Sequence, residues 1–164
     1  WGAKEMFLGI DPGIRTLSWA LVDETGVVEA GTTDLIAGVP KSKHKKYAWL
    51  VHRWMQAHIH LFDAELIVVE QQMSQKMRII ETALSFGNFT RTVVVPPVRW
   101  RKYHKISTGN YRKNKKESIK KIMNITLPTS VRTLLASKKK KDDIAEAILI
   151  SLFAQHLSHG ALAP

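Results

Sequence analysis

Two short apolar runs most constrain how this chain folds. Met6–Ile10 and Leu66–Val69 have the length of strands and carry no polar side chain. A strand that is apolar at every position is typical of a sheet covered on both faces. Helices must therefore lie on two sides of the sheet, which predicts an α/β fold for this chain of 164 residues.

The remaining periodicity completes a mixed five-stranded sheet flanked by helices. Leu17–Val22 and Val27–Thr33, joined by a polar turn with Gly26, predict an antiparallel hairpin that extends the first strand into a meander. Thr92–Val95 predicts a last strand, stopped by two prolines. Helical spacing predicts helices over Tyr47–Phe62, Ser74–Phe86, Lys115–Met123 and Asp143–Leu157, with Asn124–Ser137 as a connector.

The charge of the chain is divided unevenly. The formal net charge is +11, yet residues 1–40 hold two bases against six acids. Arg99–Lys121 holds ten Lys and Arg residues, a single acid, and interleaved aromatic residues such as Trp100 and Tyr111. Such a cluster is typical of nucleic-acid contact, although a solvated basic loop is the alternative.

Several classes of protein are excluded by composition. The chain has no cysteine, which rules out a disulfide scaffold, a thiol nucleophile and cysteine-based metal sites. It carries neither a Gly-x-Ser-x-Gly elbow nor a Gly-rich phosphate loop. No apolar run approaches the roughly 18 residues of a membrane helix. We therefore expect neither a membrane partner nor a small-molecule cofactor.

Four carboxylates occupy positions that favour a metal site. Asp11 and Glu70 each end an apolar strand, and Asp143 and Glu146 share one face at the start of the last helix. Carboxyl ends of neighbouring strands meet at one edge of a sheet, and the mutual repulsion of the acids is relieved by a divalent cation. All-oxygen ligands favour Mg²⁺, with Mn²⁺ as a substitute.

Each acid also has a plainer interpretation. Asp11 can start a turn, Glu70 can begin the connection to the next helix, and Asp142 with Asp143 can cap the last helix. Both interpretations remain open for each acid taken alone.

Three segments in order carry a family resemblance. Phe7–Leu21, which includes Asp11-Pro-Gly13, then Ile67–Gln72, then Asp142–Ile148 resemble the motif blocks of RuvC-like Holliday junction resolvases of the RNase H-like superfamily. The segment from Glu70 to Phe89 resembles most the poxvirus and mitochondrial branch. This implies one RNase H-like nuclease domain over residues 1–164, with residues 1–5 as a disordered start or a cloning remnant.

The resemblance also implies roles for individual residues. Asp11, Glu70, Asp143 and Glu146 match catalytic ligands of two Mg²⁺ ions. The family usually has Asp where this chain has Glu146, so Asp142 is the alternative ligand. A lysine near the scissile phosphate matches Lys116 best, with Lys115 as the second choice; one more phosphate-neutralising base is the plainer role.

Contacts with DNA are expected from two places. By resemblance, Gln72 and Met73 probe the unpaired centre of a junction, although a methionine there can also be core or simply exposed. The basic segment is expected to contribute the other contacts, with Trp100 stacking on bases: Arg99, Trp100, Arg101, Lys102, Arg112, Lys113 and Lys115.

The expected function is a Mg²⁺-dependent endonuclease that resolves four-way DNA junctions by paired symmetric nicks. Two symmetric nicks require a C2 homodimer. The apolar face of the Ser74–Phe86 helix, with Met77, Ile80 and Leu84, is the candidate interface, and burial against its own sheet is the competing account. We expect intracellular action where viral, bacterial or mitochondrial DNA is recombined or replicated.

Two other functions are also compatible with the sequence. One is a different RNase H-like nuclease, acting on RNA–DNA hybrids or belonging to a transposon. The other is a module that binds junctions without cutting them, which leaves four well-placed acids in a basic protein unexplained, because acids near phosphates weaken binding.

Overall fold

Five strands form one mixed sheet. The computed structural model describes residues 4–87, 91–106, 108–138 and 141–161. The β1–β2 and β2–β3 pairs are antiparallel, and the β1–β4 and β4–β5 pairs are parallel. The predicted parallel part extended by an antiparallel meander is thereby confirmed, with the order β3-β2-β1-β4-β5. The strands are β1 Phe7–Asp11, β2 Leu17–Asp23, β3 Gly26–Thr33, β4 Leu66–Glu70 and β5 Thr92–Val95.

Helices cover both faces of this sheet. They are α1 Tyr47–Ala57, α2 Gln75–Phe86, α3 Pro97–Tyr103, α4 Tyr111–Met123, α5 Thr129–Ser137 and α6 Lys141–His156. The α1 and α2 helices pack on one face, and α3 to α6 pack on the other. Two 3₁₀ turns, Lys41–Lys43 and Ile59–Asp63, and a π-helical turn, Leu157–Ala161, complete the described structure.

Alternation along the central strands decides which face receives the acids. Leu8 and Ile10 of β1 pack towards α1 and α2, whereas Phe7 packs on the α6 side. Successive side chains of a strand point to opposite faces, so Asp11 at the end of β1 lies on the α6 side. The same alternation in the neighbouring β4 places Glu70 on that side as well.

The α6 helix approaches β1 very closely. A Cβ on Gly9 would lie 2.7 Å from the Cα of Ser151 and 2.8 Å from the carbonyl oxygen of Ala147, so the contact requires glycine. Gln155, near the end of α6, donates to the carbonyl of Asp23, which lies at the end of the strands opposite Asp11. The helix therefore runs antiparallel to β1, and its first turns lie beside Asp11.

Two helices differ from the sequence prediction. The connector expected over Asn124–Ser137 contains α5, which starts directly after Pro128 and buries Val131 and Leu135. The α3 helix starts at Pro97, where the sequence predicts only the end of a strand. A proline is well tolerated at a helix start, because the N–H that it lacks has no partner there. Each of these prolines thus begins a helix.

Other boundaries differ by about one turn. The first helix ends at Ala57 rather than Phe62, and a 3₁₀ turn follows. The α4 helix begins at Tyr111 rather than Lys115, because the Asn110 side chain caps it by accepting a hydrogen bond from the Lys113 N–H at 3.1 Å.

Of the five residues expected to precede the fold, residues 1–3 lie outside the described part of the chain, and the other two precede β1. Among the helices in the described ranges, none has the length and apolar character needed to cross a membrane.

The α2 face that we expect to form a dimer interface is buried within the protein. Ile80 and Leu84 are fully buried in the core beneath α1 and α2, and Met77 packs against them. The prediction for this face is wrong, and burial against its own sheet is correct. Helical spacing marks an apolar face without showing what covers it. Ile79 and Phe86, on other sides of α2, remain 44% and 80% exposed.

Candidate active site

The four candidate acids come from three elements that meet at one edge of the sheet. Asp11 and Glu70 are the last residues of the parallel neighbours β1 and β4. Asp143 and Glu146 lie in the first turns of α6. Carboxylate oxygens of Asp11, Asp143 and Glu146 all lie within 4.8 Å of one another. We call these three residues the carboxylate triad.

Glu70 stands beside the carboxylate triad. Its side chain is buried and lies close enough to raise the pKa of Asp11. The alternative ligand Asp142 is not part of the carboxylate triad, and its Oδ2 lies 2.9 Å from Lys115 Nζ. The structure thus brings Glu146, rather than Asp142, next to Asp11.

Crowding changes the acidity of the site. Burial, followed by the charges of Glu70, Glu146 and Asp143, raises the pKa of Asp11 well above its usual value. Burial, followed by the charge of Glu146, raises the pKa of Glu70 to about 7. A positive charge placed among them therefore stabilises the ionised form of both acids.

Lys115 supplies such a charge. Its Nζ lies 3.8 Å from Asp143 Oδ1 and 3.4 Å from Glu146 Oε1, in addition to its contact with Asp142. Burial by itself lowers the pKa of Lys115, but Glu146 and Asp142 outweigh burial and hold this pKa above its usual value. Lys115 is consequently a permanent cation at the site.

The first-choice lysine of the sequence analysis does not reach the carboxylates. Lys116 is exposed, whereas Lys115 is partly buried against the triad. One residue corresponds to about 100° of rotation on a helix, so neighbouring lysines face different surroundings. The structure therefore places Lys115, the second choice, beside the carboxylates.

Trp100 is also placed differently from the prediction. Its side chain is fully buried, so it has no free face to stack on DNA. Its indole N–H instead donates to Glu70 Oε2 at 2.8 Å. The next residue, Arg101, places Nη2 3.6 Å from Glu146 Oε1. The sequence carries no signal for these contacts, because they depend on how α3 docks beside α6.

The other residues expected to contact DNA differ in how exposed their side chains are. Gln72 is partly buried, with its side-chain amide donating to the Glu70 carbonyl at 3.0 Å. Met73 beside it is 85% exposed. The remaining basic candidates have exposed side chains: Arg99, Lys102, Arg112 and Lys113.

The donor set fits a hard divalent cation. Three carboxylate oxygens lie within 4.8 Å of one another, and a fourth acid is adjacent. Oxygen ligands at this spacing suit Mg²⁺ or Mn²⁺. Burial, and after it the charges of neighbouring acids, raises the pKa of Asp11 and Glu70, and a bound cation would favour their ionised forms.

A protein-family model matches most of the chain. A family model described as the poxvirus A22 protein matches residues 5–156. Among curated proteins, none matches the chain.

Solved structures share the fold along nearly the whole chain. Fowlpox virus resolvase, solved with its substrate Holliday junction DNA, has a TM-score of 0.66 at 21% identity, covering 93% of this chain and 98% of that one. Yeast mitochondrial Holliday junction resolvase Ydc2 gives 0.65 at 16% identity, covering 93% and 82%. Thermus thermophilus RuvC, solved with a Holliday junction substrate, gives 0.59 at 16% identity, covering 94% and 95%. The chain thus has the RNase H-like fold of RuvC-like resolvases.

The raised pKa of Glu70 predicts how pH affects the metal-free protein. Because this pKa rises from 4.5 to about 7 on folding, the folded state holds more protons than the unfolded state within that window. Between pH 5 and pH 8 the free energy of unfolding should therefore fall by about 2.5 kcal/mol, since one pH unit within that window corresponds to about 1.4 kcal/mol. Denaturant unfolding at pH 5 and pH 8 measures this change.

Glu70→Gln is the control, because it removes this titration and retains the side-chain volume. His104, whose pKa is lowered by burial, contributes a stability change of the opposite sign and cancels in the comparison. Equal pH slopes for the two proteins would contradict the prediction. Mg²⁺ should stabilise the wild type more at pH 8 than at pH 5.

Proposed function

This chain belongs to the poxvirus A22 protein family, and on that premise we propose that it is a Mg²⁺-dependent endonuclease that resolves four-way DNA junctions by paired symmetric nicks. The observation that carries the proposal is the carboxylate triad beside Glu70 and Lys115, at the edge of an RNase H-like sheet. Its site of action would be recombining or replicating DNA.

The residues that would hold metal are Asp11, Glu70, Asp143 and Glu146. When bound, two Mg²⁺ ions supply Lewis-acid activation of water and of the phosphodiester. The buried core holds β1, β4 and α6 in place. The acids on these elements are therefore held in fixed positions, which supports their role as metal ligands.

Lys115 acts by charge rather than by proton transfer. Its raised pKa keeps the ammonium group protonated at neutral pH, so it cannot serve as a general base. Its position between Asp142 and Glu146 places a cation next to the acids that would otherwise repel the phosphate. Lys115 therefore assists the approach of the scissile phosphate.

Exposed bases of α3 and α4 would hold the DNA. Arg99 and Lys102 lie on α3, and Arg112 and Lys113 lie in the first turn of α4. These are the two helices that also supply Arg101 and Lys115 to the carboxylates. Phosphates neutralised by these bases would thus lie near the acids.

A homodimer follows from the proposed reaction. Two symmetric nicks require two active sites related by a twofold axis. An open apolar groove between α1 and α2 is lined by Met55, Ile79 and Phe86. We infer that a second copy of the chain occupies this groove, which would bring two active sites into one assembly.

Nicking of defined substrates tests the proposed function. With Mg²⁺, the wild type should nick a fixed four-way junction at two symmetric positions and cut a linear duplex or an RNA–DNA hybrid far more slowly. Asp11→Asn should bind the junction and lose at least about 100-fold in nicking rate, because it removes a metal ligand. Mapping of labelled product ends measures both effects.

Three outcomes would contradict it. Faster cutting of the hybrid would assign a different RNase H-like nuclease. Junction binding with no nicking of any substrate would assign a binding module. Unchanged nicking by Asp11→Asn would remove this acid from the catalytic site.

Neighbouring lysines provide a matched test of the site. Lys115→Ala should lower the junction nicking rate by at least about 10-fold, because it removes a charge between the carboxylates and the phosphate. Lys116→Ala removes the same charge from an exposed position, so it should weaken binding slightly and leave the rate of bound enzyme unchanged. Single-turnover kinetics separates the effect on junction binding from the effect on the nicking rate. Equal losses would contradict the assignment of Lys115.

The groove between α1 and α2 predicts a dimer-breaking substitution. Ile79→Glu should convert the dimer to a folded monomer, because it buries a charge at the interface. Light scattering after size-exclusion chromatography measures the mass. The control is Met123→Glu on α4, where the methionine is 65% exposed outside this groove. A dimer that survives Ile79→Glu would place the interface elsewhere.

A further inference from the structure

We propose that Trp100 is a positioning residue of the active site, whose indole N–H fixes the orientation of the Glu70 carboxylate for cation binding. The inference rests on the proposed function and gives this buried side chain a role in it. The contact that carries it is the 2.8 Å hydrogen bond from Trp100 Nε1 to Glu70 Oε2.

The chemistry of the donor suits this role. An indole N–H only donates and does not titrate near neutral pH. A hydrogen bond to a carboxylate is strengthened by the charge, and more so where both partners are buried, as they are here. With Oε2 engaged by the indole, Oε1 is the oxygen that Glu70 offers to a cation.

The ring itself cannot easily move. Trp100 is fully buried in the core on the α6 face. The Arg101 guanidinium lies 5.1 Å from the centre of the ring. A donor held by this packing fixes its acceptor in turn. Residues that hydrogen-bond to metal-binding side chains act in this way, and their loss typically costs about 10–100-fold in metal affinity or activity.

A second buried tryptophan provides a matched comparison for Trp100. Trp54 is buried on the opposite face of the sheet. Within the described ranges, its indole nitrogen has no hydrogen-bond partner. The fold therefore tolerates a buried indole N–H without an acceptor, which makes Trp54 a matched control.

The experiment compares Trp100→Phe with Trp54→Phe. Each substitution removes one indole N–H from a buried ring, but only the first removes a donor to a carboxylate. Mn²⁺ affinity of the DNA-free protein, measured by calorimetry, should fall about 10-fold or more in Trp100→Phe and stay at the wild-type value in Trp54→Phe. Equal affinities in the two variants would overturn the inference.

Kinetics gives a readout that a loss of stability would not mimic. In Trp100→Phe the nicking kcat should fall, KM for the junction should stay constant, and excess Mn²⁺ should restore part of the rate. Trp54→Phe should show the wild-type profile. A rate loss in Trp100→Phe that excess Mn²⁺ leaves unchanged would count against positioning of a metal ligand.

Nuclear magnetic resonance tests the same contact without relying on a folded Trp100 variant. In the wild type, the Trp100 indole N–H resonance should shift on Mg²⁺ addition and in Glu70→Ala, while that of Trp54 should not. A Trp100 resonance that ignores both changes would overturn the inference. If the wild type binds Mn²⁺ but nicks no junction, the proposed function fails, whereas the affinity comparison still decides the role of Trp100.

Discussion

Repulsion among carboxylates at one edge of a buried sheet is the constraint around which this molecule is arranged. Asp11 and Glu70 end neighbouring strands, and α6 brings two more acids against them. The approach depends on Gly9, where any side chain would collide with the α6 backbone. Burial and mutual charge then raise the pKa of both strand acids. Positive charge nearby stabilises the ionised form of such a cluster.

Two helices supply that positive charge, and each carries both inward-facing and exposed bases. Arg101 on α3 and Lys115 on α4 reach the carboxylates, while other bases of the same helices remain exposed to solvent. One basic segment thus serves two purposes, because helical rotation turns some of its residues inward and others outward. The net charge of +11 hides this division, since the inward bases offset acids of the site and the outward ones are exposed to solvent.

Much of the architecture was predictable, because it depends on local patterns. Alternating and continuous apolar runs identified all five strands, and Asp11, Glu70, Asp143 and Glu146 followed from their positions at the ends of those elements. The α3 and α5 helices were missed, because Pro97 and Pro128 end one element and begin the next. The α2 interface was misplaced, because an apolar face on a helix does not reveal what packs on it.

The sequence by itself determined the mixed sheet and the acids at its edge, because both follow from periods of two and of 3.6 residues along the chain. Only the tertiary structure decided that Lys115 rather than Lys116 meets the carboxylates and that Trp100 donates to Glu70 rather than facing DNA. These contacts join residues about 30 positions apart. They depend on the rotation and docking of whole helices, and no local pattern records that arrangement.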